Sequence, residues 1–144
     1  MLNPINSSAG FPSLRKDYGI KPGTSIDQTA VVQAAINAEP IILFDSGNYL
    51  VTGLEIPDGH VVLGAGAGHT ILYAATTSKA ISLGIRSKVA DLTIYPAAGY
   101  EYKYTGLVQE GVQDSIMDNV LIYKPDVGLR VKGKSYYNLS LIHI

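Results

Sequence analysis

The sequence contains no cysteine, and charge is scarce: 16% of the residues are Asp, Glu, Lys or Arg, for a net charge of −1. Without cysteine, a disulfide framework and a thiolate metal site are excluded. The compartment stays open, because extracellular proteins need not carry disulfides. Without excess basic charge, the electrostatic footprint of a nucleic-acid-binding domain is missing. No apolar run approaches the roughly 20 residues of a membrane-spanning helix. The opening residues, MLNPINSSAGFPSLRK, lack the apolar stretch of a secretory signal. That leaves action inside the cell, export by another route, or a true start other than Met1.

What is present is a chain of 144 residues, 47% hydrophobic, with 15 glycines. This is enough for one domain with a core. One segment reads as a helix: IDQTAVVQAAINA, Ile26 to Ala38, with Asp27 as N-cap and Pro40 as its stop. Val32, Ala35 and Ile36 form an apolar stripe at helical spacing, and Val31 and Ala38 are expected to widen it. After Pro40 the pattern changes to short apolar blocks bounded by Gly, Pro, Asp and Asn. The expected strands are IILF (41–44), YLVTG (49–53), LEI (54–56), HVVLG (60–64), TILYA (70–74), AISLG (80–84), VADLTIY (89–95), DNVLIY (118–123) and VGLRVKG (127–133).

A repeated block decides among all-β folds. DLTIY starts at Asp91, NVLIY at Asn119 and NLSLI at Asn138. A recurrence roughly every 20 to 30 residues is the mark of a solenoid. Stacked coils would align Leu, Ile and Val inward, and the Asp or Asn would align at a bend and bond to its neighbour in the next coil. A β-sandwich explains the strands but not the block.

The stretches DYGIKPGTSIDQTAVVQAAINA (17–38), FDSGNYLVTGLEIPDGHVVLGAGAGHTILYA (44–74) and NVLIYKPDVGLRVKG (119–133) resemble the pectate-lyase superfamily. The likeness is to the N-terminal segment of rhamnogalacturonase- and epimerase-like domains and of many phage tailspikes. Asp17, Tyr18, Gly19, Asp27 and Thr29 fill the places of that family's opening motif. Gly47, Tyr49, Pro57, Leu63, Gly64 and Gly66 fill those of its turns and strand ends. Pro22-Gly23-Thr24 replaces a usual Gly-Asp-Gly, and Asp45 replaces a usual proline. The resemblance implies an all-β, right-handed parallel β-helix with an N-terminal capping α-helix, in which residues 1–16 are an extension and 17–144 the N-terminal part of the β-helix domain. A solenoid end exposes apolar cross-section and unpaired edges, so a helix there has a role.

Among candidate sites, GAGAG (64–68) looks like a phosphate loop, but the third glycine of that motif falls on His69 and a strand follows, so a turn is expected. Tyr100, Tyr102 and Tyr104 alternate with Glu101, Lys103 and Thr105. On a strand they would share one face, where phenol rings suit sugar rings; the bland alternative is packing on the β-helix wall or a subunit contact. Glu110, Asp114 and Asp118 lie close together, as paired carboxylates for glycoside cleavage must, but form no hydrolase or lyase signature. His60, His69 and His143 lack a second ligand at metal spacing. Calcium, known in the resembled family, is given no site, and the catalytic residues stay unknown.

The resemblance implies a polysaccharide-binding or polysaccharide-degrading protein, foremost a tailspike-like depolymerase acting as lyase or glycoside hydrolase, placed on a virion or outside the cell and homotrimeric if tailspike-like. The alternatives are a non-catalytic structural or adhesion module and a secreted pectinase-like enzyme. Finally, the residues LSLIHI (139–144) are also what the codons CTG TCT CTT ATA CAC ATC of a transposon-end sequencing adapter encode. Residues 139–144 are therefore expected to be foreign and the β-helix truncated at its C-terminus, with Asn138 taking the place of Asp91 and Asn119 in a further coil.

Overall fold

The computed structural model describes residues 10–110, 114–132, 137–139 and 142–144. It is a parallel β-solenoid of about four turns, as expected, with two helices at its start. The strands are β1 Ile41–Leu43, β2 Gly47–Val51, β3 Leu54–Ile56, β4 Val61–Leu63, β5 Thr70–Ala74, β6 Lys79–Leu83, β7 Lys88–Pro96, β8 Thr105–Glu110, β9 Ser115–Ile122, β10 Val127–Lys132, β11 Tyr137–Leu139 and β12 Ile142–His143. They stack in three columns. The first runs β1, β4, β7, β9 and β11, and the second β2, β5, β7, β9 and β12. The third runs β3, β6, β8 and β10. The long strands β7 and β9 turn a corner and so belong to two columns each.

Parallel register converts the apolar blocks into ladders. Ile42, Val62, Val89 and Met117 stack through four coils of the first column, all at most 2% exposed. Tyr49, Leu72, Ile94 and Ile122, all buried, form the ladder of the second. Leu54, Ile81, Leu107 and Leu129 form the third. Each fully buried aliphatic side chain contributes about 1.5–3 kcal/mol before the entropy of ordering is subtracted.

The corner within β7 and β9 is the aligned bend the repeat implied. Asp91 and Asn119 both have left-handed backbones, with φ of 61° and 51°. Asn and Asp tolerate this region better than branched residues do. Asn119 Nδ2 donates to Asp91 Oδ1 at 2.9 Å, which ties one coil to the next. In the coil before, Gly64 takes this place; a Cβ there would stand 2.0 Å from the Asp91 carbonyl oxygen. The third block does not follow suit. Asn138 pairs with Ile116, three positions ahead of Asn119. The resemblance of NLSLI to the earlier blocks is one of composition, and the strand pairing sets a different register.

The helices also sharpen the expectation. α1, Leu14–Tyr18, lies partly within the expected extension. Ser13 Oγ accepts from the Lys16 N–H, and Asp17 accepts from the Ser13 N–H. Gly19, at φ 64°, closes the helix, and Ile20 N–H returns to Leu14 O. Leu14 is fully buried and Ser13 bridges to Leu43, so the packed chain includes these residues. α2 spans Thr29–Ala38, starting later than Ile26. Its N-cap is Gln28, not Asp27, yet Asp27 still accepts from the Thr29 N–H at 2.9 Å. Glu39 is extended, as a residue before proline prefers to be. Val32, Ala35 and Ile36 are fully buried, whereas Val31 and Ala38 are exposed and do not widen the stripe.

Candidate functional site

Alternation along a strand sends every second side chain outward. In the second column Leu72, Ile94 and Ile122 point into the core, so Tyr73, Tyr95 and Tyr123 point out. Register places them side by side: Tyr73 pairs with Tyr95, and the Ile94–Ile122 pair brings Tyr123 next in line. The ring centroids of Tyr73 and Tyr95 are 5.5 Å apart, tilted by 55°. Those of Tyr95 and Tyr123 are also 5.5 Å apart, tilted by 45°. Tyr73 and Tyr95 are half-buried and Tyr123 is 46% exposed. Three phenols thus form a strip along the solenoid axis, one per coil.

The tyrosines singled out by alternation do not share a face. Residues 97–103 form turns: Tyr100 N–H returns to Ala97 O, and Tyr102 takes a left-handed backbone at φ 60°. Strand β8 begins only at Thr105. Tyr102 is 66% exposed, and its N–H donates to Lys124 O beside Tyr123. Tyr100 is half-buried. Tyr104 is fully buried, and its hydroxyl donates to the carbonyls of Tyr123 and Ile94. Burial pushes its phenol pKa well above the usual range, so it stays a neutral donor that pins the loop to the wall. Of the three, Tyr102 alone is exposed near the strip. A sequence signal for the strip did exist: TILYA, VADLTIY and DNVLIY each carry a tyrosine at the same place in the block.

On the other side of the corner made by residues 97–104 and 123–126 lies a polar groove on the third column. Its first part, about 640 Å³, runs between α2 and β3–β6 and includes Thr29, Gln33, Asn37, Thr52, Glu55 and Ser82. Its second part, about 300 Å³, lies over β6, β8 and β10. Ser78 and Lys79 border both.

The remaining candidates separate. Glu110 lines the second part of the groove with Asp126 as the other carboxylate. Asp114 is exposed and sits 4.0 Å from Arg86 Nε, a surface pair of little energetic weight. Asp118 lies in β9, opposite Ala90. His60 Nδ1 is 2.8 Å from Ile36 O and tethers α2 to the turn before β4. His69 packs against Gly66 in a turn, and the side chain of His143 lies outside the described residues. The GAGAG segment is a turn: Gly66 has φ 143°, both His69 and Thr70 N–H groups return to its carbonyl, and β5 follows. Ala67 O accepts from Thr93 Oγ1, which fastens this turn to the wall. Among the described residues, no group of three or more His, Asp or Glu converges as metal ligands. No described helix is long and apolar enough to cross a membrane.

No protein-family profile matches the chain, and no curated protein matches it. Among solved structures it is similar to ORF18 of Geobacillus virus E2, with a TM-score of 0.63 and 17% sequence identity. The match covers 76% of this chain and 25% of that one, so this chain spans about a quarter of the length of its structural neighbour. At that identity the likeness establishes the shared β-solenoid fold.

Proposed function

We propose that this chain is part of a phage β-helix protein that holds a polysaccharide against its wall, in the manner of a tailspike. The observation that carries this reading is the strip Tyr73–Tyr95–Tyr123. Sugar rings present apolar C–H faces that stack on phenol rings, while ring hydroxyls reach the phenolic oxygens. A strip with one ring per coil suits an extended polymer better than a compact ligand. Tyr102, raised beside Tyr123, supplies a further contact. The pectate-lyase-type ancestry, the depolymerase activity as lyase or glycoside hydrolase, and a homotrimeric virion assembly belong to this same proposal and to the longer protein it implies.

The test is affinity electrophoresis of the chain in gels cast with capsular and plant polysaccharides. At least one polymer should retard it, and Tyr95→Ala should weaken retardation about two- to tenfold, the range for one aromatic contact. If no polymer retards the protein, or if Tyr95→Ala changes nothing, the reading fails.

A second reading is a non-catalytic structural module. The observation behind it is that the face that carries the tyrosines also carries half-buried apolar side chains: Leu50, opposite Tyr73, and Ile71 and Leu121, which flank Thr93 in the next row. On this reading the face would be a subunit contact, and sedimentation would show an oligomer that Tyr95→Ala dissociates.

A further inference from the structure

The second part of the groove brings together four charged side chains: Lys79 from β6, Glu110 from β8, Asp126 before β10 and Arg130 from β10. Register explains the gathering. Lys79 and Val127 flank Thr105 from the coils on either side, which places Asp126 about two strand spacings from Lys79 across the same cavity, and Arg130 pairs with Val108, two residues from Glu110. The described ion pairs lie elsewhere, at Lys16–Asp17 and Arg86–Asp114. Two positive and two negative groups therefore border one cavity of about 300 Å³ without pairing with each other. Lys132 stands opposite Glu110 in register but does not line the cavity.

This arrangement selects by repulsion as much as by attraction. A purely anionic ligand meets Glu110 and Asp126, and a purely cationic one meets Lys79 and Arg130. A ligand carrying both signs satisfies all four, and Ser78 and Thr105 offer hydroxyls to its polar body. We propose that this pocket binds a zwitterionic ligand, a unit that carries an ammonium and a phosphate or carboxylate together. The site is separate from the tyrosine strip and does not depend on the polysaccharide reading.

The test is an NMR titration of the chain with four sugars: glucosamine 6-phosphate, muramic acid, glucose 6-phosphate and glucosamine. The first two carry both signs of charge, with phosphate and carboxylate respectively, and the last two carry a single sign each, negative for glucose 6-phosphate and positive for glucosamine. Exposed ion pairs are individually weak, so the expected advantage of the zwitterions is about three- to tenfold in Kd, shrinking as salt is raised. Amide shifts should centre on Lys79, Thr105 and Arg130. Asp126→Asn should bring glucosamine 6-phosphate down to the level of glucose 6-phosphate. Lys79→Gln with Arg130→Gln should bring it down to that of glucosamine. Asp126 and Arg130 are exposed and Lys79 is half-buried, and unchanged amide spectra elsewhere will show that the variants fold. Equal affinity across all four sugars, shifts centred on Tyr95 instead, or no shift at millimolar ligand would overturn the proposal.

Discussion

The first and the last described coils of the third column differ at their edges. The first coil presents three strand edges, and each is met. Leu43 N–H donates to Pro12 O in β1; Gly23 and Gln28 bond to Asn48 and Leu50 in β2. For β3 the partner is a side chain: Gln33 Nε2 donates to Glu55 O at 2.7 Å and Gln33 Oε1 accepts from Glu55 N–H at 2.8 Å. Thr29 Oγ1 accepts from Thr52 N–H nearby. Beneath them Val32, Ala35, Ile36 and Leu14 close the apolar cross-section. In the last described coil, the outer edge of β10 has no strand partner among the described residues, and Arg130, Val131 and Lys132 are exposed along it. A cap need not be a strand: an amide side chain on a helix offers the same donor and acceptor as a backbone.

The largest predicted effect breaks the capped end. Ile36→Ala removes a fully buried side chain between α2 and the first coil, and should cost about 2–5 kcal/mol in urea unfolding. Val131→Ala on β10 should stay within about 0.5 kcal/mol. Equal losses at the two positions would show that the cap does not anchor the fold.

Alkali should act through buried phenols near the cap. Burial chiefly, with Asp45 adding to it, pushes the Tyr49 pKa from 10 up to about 12. Its folded pKa lies above its unfolded one, so the associated stability is fully present below pH 10. It is then lost as pH rises toward 12. Unfolding midpoints should fall across that window, and Tyr49→Phe should flatten the fall. A midpoint independent of pH from 9 to 12 would contradict the assignment.

Gln33 gives the sharpest form of the comparison between the two edges. Gln33→Ala leaves Glu55 N–H and C=O without their partners and should cost about 1 kcal/mol, since both groups can turn to water. Gln33→Glu keeps the acceptor and loses the donor, so it should fall between. The β3 edge then resembles that of β10 without its charges, and light scattering should show faster aggregation of Gln33→Ala. Identical stability and scattering for all three proteins would mean that the side chain does not close the edge.

Much of this fold was legible because parallel coils repeat. Asp91 and Asn119 open similar blocks, and their alignment at a bend followed from the repeat alone. What the sequence hid depends on register between coils. Tyr73, Tyr95 and Tyr123 lie a full coil apart, so no local window brings them together, while the local alternation of Tyr100, Tyr102 and Tyr104 mimicked a strand that the turn at Gly99 and Tyr102 prevents. Strand β8 was missed because Gly106 and Gln109 dilute its apolar pattern. α1 is a single turn whose capping partners, Ser13 and Asp17, weigh little without the burial of Leu14. The charged pocket needed residues from three coils, among them Asp126, which no motif marks.

The smallest expected change, that of Asn119→Gly beside Asn119→Ala, tests the coil-to-coil ladder away from the capped first coil. Asn119 has a left-handed backbone and donates to Asp91. Asn119→Ala loses the bond and adds the strain of a Cβ-bearing residue without a local polar compensation, for about 1–2 kcal/mol. Asn119→Gly loses the same bond but relieves the backbone, so it should stay within about 0.5 kcal/mol of the parent. The difference between the two variants isolates backbone strain from the hydrogen bond. If Gly is as costly as Ala, the Asn119–Asp91 bond and not the left-handed bend holds the corner, and Asp91→Ala should then cost as much as either.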